Sequence, residues 1–400
     1  MDVGFLLLSA ASPRRLVALR ERITALRFPS STTVDYSIHE MERILPHLDI
    51  RVLLFSTDLS SRPRPWIRLE YMEAVLRLTP SLQHLELRAG SFSLAIDCAT
   101  FLEVARRHAP HLTTLIMIDV PTTFGQLSSL TLRNLEVRMN HNQRQSSGQR
   151  VLAVCQLLER TPSLERLILH DSAECDEDKA SYPDALASPP LLRLRWFHLQ
   201  TGNAILASAY LVLVSRSNLT ELSLKLSPYS PRSHLSNIEQ LRAWPQLKVL
   251  RLSSLRGVNV GVFDALTAVE DLECGRTDFL NLLPLVSQGT TIFPRLNTLR
   301  IHSVAGRWDK DGSIAGFLRA REDAGFPLQR LLVHAAAEPR FFEVERDLGG
   351  VNVQIGKYML WEYGFHGVRA RLEPFEVLFS EAELKKYGLW DEPKSTGETK

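Results

Sequence analysis

Residues 79–87 read TPSLQHLEL, and residues 161–169 read TPSLERLIL. Six of the nine positions are identical. The shared frame is L-x-x-L-x-L, here Leu82, Leu85, Leu87 and Leu164, Leu167, Leu169. One such frame means little in a leucine-rich chain. Its recurrence decides the architecture.

Sliding the frame along the chain finds it again at Leu112, Leu115, Met117; Leu132, Leu135, Val137; Leu194, Phe197, Leu199; and Leu219, Leu222, Leu224. It continues at Leu247, Leu250, Leu252; Val269, Leu272, Cys274; Leu296, Leu299, Ile301; and Leu328, Leu331, Val333. Weaker copies open the series at Ile23, Leu26, Phe28 and Ile50, Leu53, Phe55, and a last copy is read at Leu348, Val351, Val353. The twelve copies starting at Ile23 through Leu328 recur at a mean of about 28 residues, within the 20–50 range of stacked repeats.

Between the frames lie short amphipathic stretches: WIRLEYMEAVLRLTP, FLEVARRHAP, GQRVLAVCQLLERTP, NIEQLRAWP and SIAGFLRAREDAGFP. Each ends at a proline, which cannot continue a helix and drives the residue before it towards extended backbone. AILASAYLVLVS, from Ala204 to Ser215, reads as a buried helix; it is far short of the ~20 residues that span a bilayer. Each unit is therefore helix, proline-marked turn, strand. The last two apolar positions of a frame alternate with a polar one, as a half-buried strand requires. One unit cannot cover its apolar face, but its neighbours can. The expectation is an α/β solenoid with a parallel sheet on the concave side and helices on the convex side.

This pattern resembles a leucine-rich-repeat protein over roughly residues 20 to 340, in the longer, helix-containing type, with about 12 irregular repeats in a horseshoe. The family commonly carries Asn or Cys three residues after the frame, to satisfy the turn. Here Gly90, Val120, Ser172, Gly202, Ser227, Leu255, Thr277 and Val304 stand there, and only Asn140 conforms. The turns must be satisfied otherwise. The phrase TPSL-x-x-L-x-L is similar to the repeat regions of fungal F-box/leucine-rich-repeat proteins, the substrate receptors of ubiquitin ligases. That resemblance implies an F-box ahead of the repeats, bound to a Skp-type adaptor. No F-box is found: LPHLDI (Leu45 to Ile50) lies inside the repeats, and about twenty residues precede the first frame. The expectation is a box lost or clipped.

Composition fits a folded protein: 400 residues, 44% hydrophobic and 23% charged, with a formal net charge of +2. So small a charge excludes a strong non-specific nucleic-acid field. Cys98, Cys155, Cys175 and Cys274 form no C-x-x-C pair and no zinc spacing. Reduced thiols in the cytoplasm or nucleus follow. The N-terminus MDVGFLLLSAAS lacks a positive n-region, which argues against a signal peptide. A secreted repeat protein is the second alternative; Asn218-Leu219-Thr220 fits a glycan acceptor, but Leu219 is a frame position.

No G-x-S-x-G, P-loop, H-E-x-x-H or G-x-G-x-x-G occurs. The acidic stretch ECDEDK (Glu174 to Lys179) matches no calcium loop and reads as solvated. Neither cofactor nor metal is expected, and the function that follows is non-enzymatic protein–protein interaction. The surface for it is the concave face, given by the alternate strand positions. His84, His170, His198, His302 and His334 fall in or just after frames on that face. Trp and Arg are enriched at binding hot spots. The candidate contacts are therefore Arg138, Arg166, His170, Trp196, His198, Arg251, Arg300, His302 and Arg330, with Trp196 exposed at the centre. The alternative is a ligand-binding or enzymatic use of this Arg/His-rich face.

The expected domains are an N-terminal cap helix or remnant over 1–20, the solenoid over 21–340, an aromatic-rich C-terminal cap over 341–390 and a polar, disordered tail over 391–400.

Overall fold

Each frame becomes a strand. The computed structural model describes residues 24–28, 38–56, 69–88, 98–119, 130–139, 146–172, 189–226, 239–253, 260–275, 278–280, 282, 292–304, 313–335 and 352–356. The expected N-terminal cap over 1–20, the expected C-terminal cap over 341–390 apart from 352–356, the expected tail over 391–400 and ECDEDK lie outside these residues.

The strands are β1 (Ala25–Phe28), β2 (Val52–Ser56), β3 (His84–Arg88), β4 (Thr114–Ile118), β5 (Asn134–Met139), β6 (Arg166–Asp171) and β7 (Trp196–Thr201). They continue with β8 (Glu221–Leu226), β9 (Val249–Ser253), β10 (Asp271–Gly275), β11 (Thr298–Val304), β12 (Arg330–Ala335) and β13 (Asn352–Gly356). The intervening helices are α1 (Ile38–Ile44), α2 (Leu69–Arg77), α3 (Cys98–His108), α4 (Ser147–Glu159), α5 (Ala204–Leu213) and α6 (Ser313–Asp323). Tighter 3₁₀ turns stand at Leu45–His47, Glu239–Ala243 and Val260–Ala265. The stretch NIEQLRAWP thus makes a 3₁₀ turn rather than an α-helix.

The chain divides into two compact units, between Leu115 and Ile116. In the first, β1, β2 and β3 pair in chain order, all parallel. In the second, β5 to β13 do the same. Equivalent frame leucines lie side by side: Leu135, Leu167, Phe197, Leu222, Leu250, Leu272, Leu299 and Leu331 occupy one row. All eight are 2% exposed or less. This is an α/β leucine-rich-repeat solenoid.

One copy shifts. β13 aligns Val353 with Leu331 and Ile355 with Val333. The frame positions in register are 353 and 355, two residues later than the reading at Val351 and Val353. Strand side chains repeat every two residues, so alternation is blind to a slide of two. β13 also carries the sheet beyond residue 340.

The TPSL motif has a physical explanation. The last carbonyls of a helix have no partner within it. Thr79 Oγ1 donates to the Val75 and Leu76 carbonyls at 3.0 and 3.4 Å, closing α2. Thr161 Oγ1 does the same to Leu157 and Leu158 at 3.1 and 3.3 Å, closing α4. Both threonines are buried. The proline follows where the helix must stop. The frame leucine then donates back across a tight turn, Leu82 to the Thr79 carbonyl and Leu164 to that of Thr161, each at 3.1 Å. The same bond recurs from Leu112 to Ala109, Leu247 to Trp244 and Leu296 to Phe293. Thr161→Val keeps the shape and removes the hydroxyl. It should lower stability by about 1 kcal/mol, read from the denaturant midpoint. An unchanged midpoint would deny the threonine its capping role.

Two of the described turns after strands show side chains meeting backbone groups. Ser172 Oγ donates to the Met139 carbonyl at 3.1 Å. Asn203 caps α5 by accepting from the Ile205 and Leu206 amides at 2.7 and 3.3 Å.

Between sheet and helices lies one polar group that the frame does not announce. Asp171 follows Leu167 and Leu169 in phase and faces the helices. It accepts from Arg150 Nη1 of α4 at 2.8 Å and from the Tyr210 hydroxyl of α5 at 2.8 Å. The Arg150 and Asp171 side chains are 2% and 0% exposed.

Candidate functional site on the sheet face opposite the helices

The alternate residues of each strand point away from the frame leucines. Parallel register stacks them in rows across the strands, about 4.8 Å apart. In the second unit one row runs Asn134, Arg166, Trp196, Glu221, Val249, Asp271, Thr298, Arg330. The next runs Glu136, Ile168, His198, Ser223, Arg251, Glu273, Arg300. A third runs Arg138, His170, Gln200, Lys225, Ser253. The predicted residues fall into two groups along these rows.

The first group sits on β5 to β8. Trp196 is not the exposed centre that alternation suggested: it is 7% exposed. Its indole stacks on His198, with centroids 6.0 Å apart and planes 10° from parallel. The indole Nε1–H finds no acceptor among the described residues. The rings of His198 and His170 lie 5.2 Å apart. His198 Nδ1 lies 2.9 Å from Ser223 Oγ. Arg138, the register partner of His170, bonds Glu136 on its own strand through Nε. Arg166, between Asn134 and Trp196 in register, is half-buried.

Burial holds His198 neutral, lowering its pKa to about 3, and Lys225, Arg251 and Arg138 add to the effect. Burial likewise pushes His170 well below the usual imidazole value, helped by His198, Arg138 and Lys225. Ser223 and His198 therefore bring a hydroxyl and an imidazole together, but with the wrong electronics for attack. A base with so low a pKa takes a proton poorly, and efficient general bases titrate near the working pH. The nearest carboxylates on this face are turned elsewhere, Glu136 to Arg138 and Glu221 to Arg251.

The second group sits on β8 to β12 and is half-buried, with Arg330 exposed. Arg251, 35% exposed, reaches Glu221 on one side at 3.5 Å and Glu273 on the other at 3.2 Å. Arg300 grips Asp271, with Nη2 at 2.8 Å and Nε at 3.1 Å from its two oxygens. Arg330 is exposed and donates to Thr298 Oγ1 at 3.0 and 3.2 Å. His302 lies on β11 opposite Gly275 in register; its side chain, like that of His334, is outside the described residues. Acid and base alternate because neighbouring strands put them side by side.

Sequence reasoning marked the arginines and passed over their partners Glu221, Asp271 and Glu273. The signal was there: stacking the frames puts Glu273 beside Arg251 in one row and Glu221 on the neighbouring strand, two residues before Ser223, the register partner of Arg251. In the first unit, His84 and Glu86 on the same face are 3% exposed, and burial lowers the His84 pKa to about 4.

Among the described residues no group of three His, Cys, Asp or Glu side chains is placed to hold a metal ion. Cys155 and Cys274 are buried thiols in no disulfide; burial pushes Cys155 up to about 11 and Cys274 well above the usual thiol value. No described helix is long and apolar enough to cross a membrane.

No protein-family model matches this chain, and no curated protein matches it. Among solved structures it is similar to the internalin inlF of Listeria monocytogenes, at 16% identity and a TM-score of 0.39, over 88% of this chain and 92% of that one. It is also similar to the APL1 leucine-rich repeat domain, at 13% identity and a TM-score of 0.29, over 82% of this chain and 78% of that one.

Proposed function

We propose that this chain is a protein-interaction scaffold that binds its partner on the charged face of β8 to β12. The observation that carries the reading is the ion-pair chain Glu221, Arg251, Glu273 with Asp271, Arg300 and Arg330 beside it: charge that is partly solvent-facing on a face whose other end, at Trp196, is closed. Exposed ion pairs contribute about 0–1 kcal/mol each. Their carboxylates are readily exchanged for those of a partner, and their geometry sets its register. The Trp196 indole stacked on His198 packs the closed end of the face.

The test is capture by the double variant Arg251→Glu, Arg300→Glu against Arg106→Glu, which changes an exposed charge on α3 instead. A partner retained by the wild type and the α3 variant should bind the double variant at least about tenfold more weakly. Equal capture by all three proteins, with their unfolding transitions intact, overturns the surface.

A narrower reading makes the scaffold a substrate-recognition subunit of a ubiquitin ligase, working in the cytoplasm or nucleus. It is supported by the TPSL-x-x-L-x-L resemblance, and the compartment by the thiols of Cys155 and Cys274, which form no disulfide. Co-purification with a Skp-type adaptor, by this chain and by a form extended upstream, tests it. Binding by neither removes the ligase role and leaves the scaffold.

A further inference from the structure

We propose that the edge of the sheet where the chain enters β7, β8 and β9 is a second interaction surface, which takes an acidic protein segment carrying an apolar side chain. This surface is separate from the charged rows of β8 to β12 and does not rest on them.

Uncompensated charge carries it. Between Asp184 and Glu221 the sequence holds three arginines, Arg193, Arg195 and Arg216, and no Asp, Glu or Lys. The repeat places Arg193 and Arg195 ahead of β7, Arg216 ahead of β8 and Arg242 ahead of β9. All four are exposed. Arg193, Arg216 and Arg242 pair with no carboxylate among the described residues. Arg195 donates through Nη1 to the Asn218 carbonyl at 3.1 Å, which fixes its guanidinium and leaves its other N–H groups for a second acceptor. The carboxylates on either side are engaged: Glu165 lies 3.9 Å from Arg133, and Glu270 lies 3.4 Å from Lys248.

Backbone bonds hold these connections side by side. The Thr220 amide donates to the Arg195 carbonyl, and the Lys248 amide to that of Thr220, each at 2.8 Å. Neighbouring connections then lie about 4.8 Å apart, and an extended chain advancing about 3.3 Å per residue crosses all three in about three residues. Leu192 stands next to Arg193 and is 62% exposed, the most exposed large apolar side chain among the described residues. An ordered turn presents it: Asn218 Nδ2 donates to the Leu192 carbonyl at 3.1 Å, and the Leu194 amide to that of Leu191 at 3.0 Å. These features select the occupant. The planar fork of arginine matches a carboxylate through two N–H groups. A nucleic acid is bound with rings on which its bases stack, but Trp244, in the connection ahead of β9, is fully buried. A bilayer needs a wider apolar face than one leucine. An acidic segment with one apolar residue meets both the arginines and Leu192.

The test uses the full chain and a fluorescein-labelled peptide of glutamates around a central leucine. Its comparisons are a twin with glutamine for every glutamate, phosphatidylserine vesicles and a single-stranded oligonucleotide. Saturable binding of the glutamate peptide is expected, read as anisotropy, and it should weaken as salt rises because exposed charges are screened. The double variant Arg193→Gln, Arg216→Gln should bind about tenfold more weakly, from the loss of two charge contacts. Leu192→Ser should weaken binding less, and Arg106→Gln, which changes an exposed arginine of the first unit, should leave it unchanged. All these variants change exposed side chains, and wild-type unfolding midpoints confirm their fold. Binding that never saturates, that is equal for the glutamine twin, or that survives in the double variant overturns the surface. Saturation by the vesicles or the oligonucleotide at a lower concentration than by the peptide gives the edge to a membrane or a nucleic acid and overturns it as well. The peptide reads this edge, and partner capture by Arg251→Glu, Arg300→Glu reads the sheet face, so this proposal and the scaffold reading fail separately.

Discussion

Asp171→Ala should destabilise the second unit by about 3–5 kcal/mol, a large share of what holds most domains folded. The cause is what remains behind. Asp171 accepts from Arg150 Nη1 and from the Tyr210 hydroxyl, both at 2.8 Å, at a site with no exposure. Removing the carboxylate takes the Asp171 counter-charge from a guanidinium that is 2% exposed, and an acceptor from a buried tyrosine. Asp171→Asn keeps an acceptor for Tyr210 but not the counter-charge, and should fall between. The triple change Asp171→Leu, Arg150→Met, Tyr210→Phe removes donors and acceptor together. It should recover most of the loss, because an apolar core of matched volume needs no ion pair. Urea unfolding of the four proteins checks this. If the alanine variant unfolds at the wild-type midpoint, the pair is not what joins α4 and α5 to β6.

This triad shows where sequence reading stops. The frame leucines were legible because twelve copies repeat one apolar phase, and the register sets their equivalents side by side. Asp171 stands in the same phase, two residues past Leu169, but carries a charge; a search for apolar residues ends one position early. Arg150 was the other clue, a charge inside the apolar stretch VLAVCQLLE and its flank. Only the pairing of helix with strand makes the two explain each other. The last copy failed for a different reason. Val351, Val353 and Ile355 alternate without a leucine anchor, so nothing in the sequence distinguishes one pair from the next. On the opposite face, alternation said nothing of depth. That is how Trp196 was expected in the open and is found 7% exposed against His198.

The second large effect is a loss of stability on mild acidification. In the unfolded chain a histidine titrates near 6.5. In the folded protein burial lowers His84 to about 4 and His198 to about 3, and holds His170 well below its usual value. Each folded pKa is depressed, so the unfolded state binds more protons wherever the pH lies below 6.5. Stability is then full above that pH and falls as pH drops towards the folded values. Between pH 7 and pH 5, His84 and His198 should each remove about 2 kcal/mol, His84 from the first unit and His198 from the second. The groups facing His198 reinforce the sign: Lys225, Arg251 and Arg138 all disfavour its protonation. Asp49, held below the usual carboxylate value by its bond to Arg51, does not titrate in this window. His198→Gln retains a partner for Ser223 and cannot take up a proton. Its denaturant midpoint should therefore vary less between pH 7 and pH 5 than that of the wild type. A wild-type midpoint that does not move across this range would mean that these rings are solvated enough to charge in place, and the packed face of β5 to β8 would have to be given up with them.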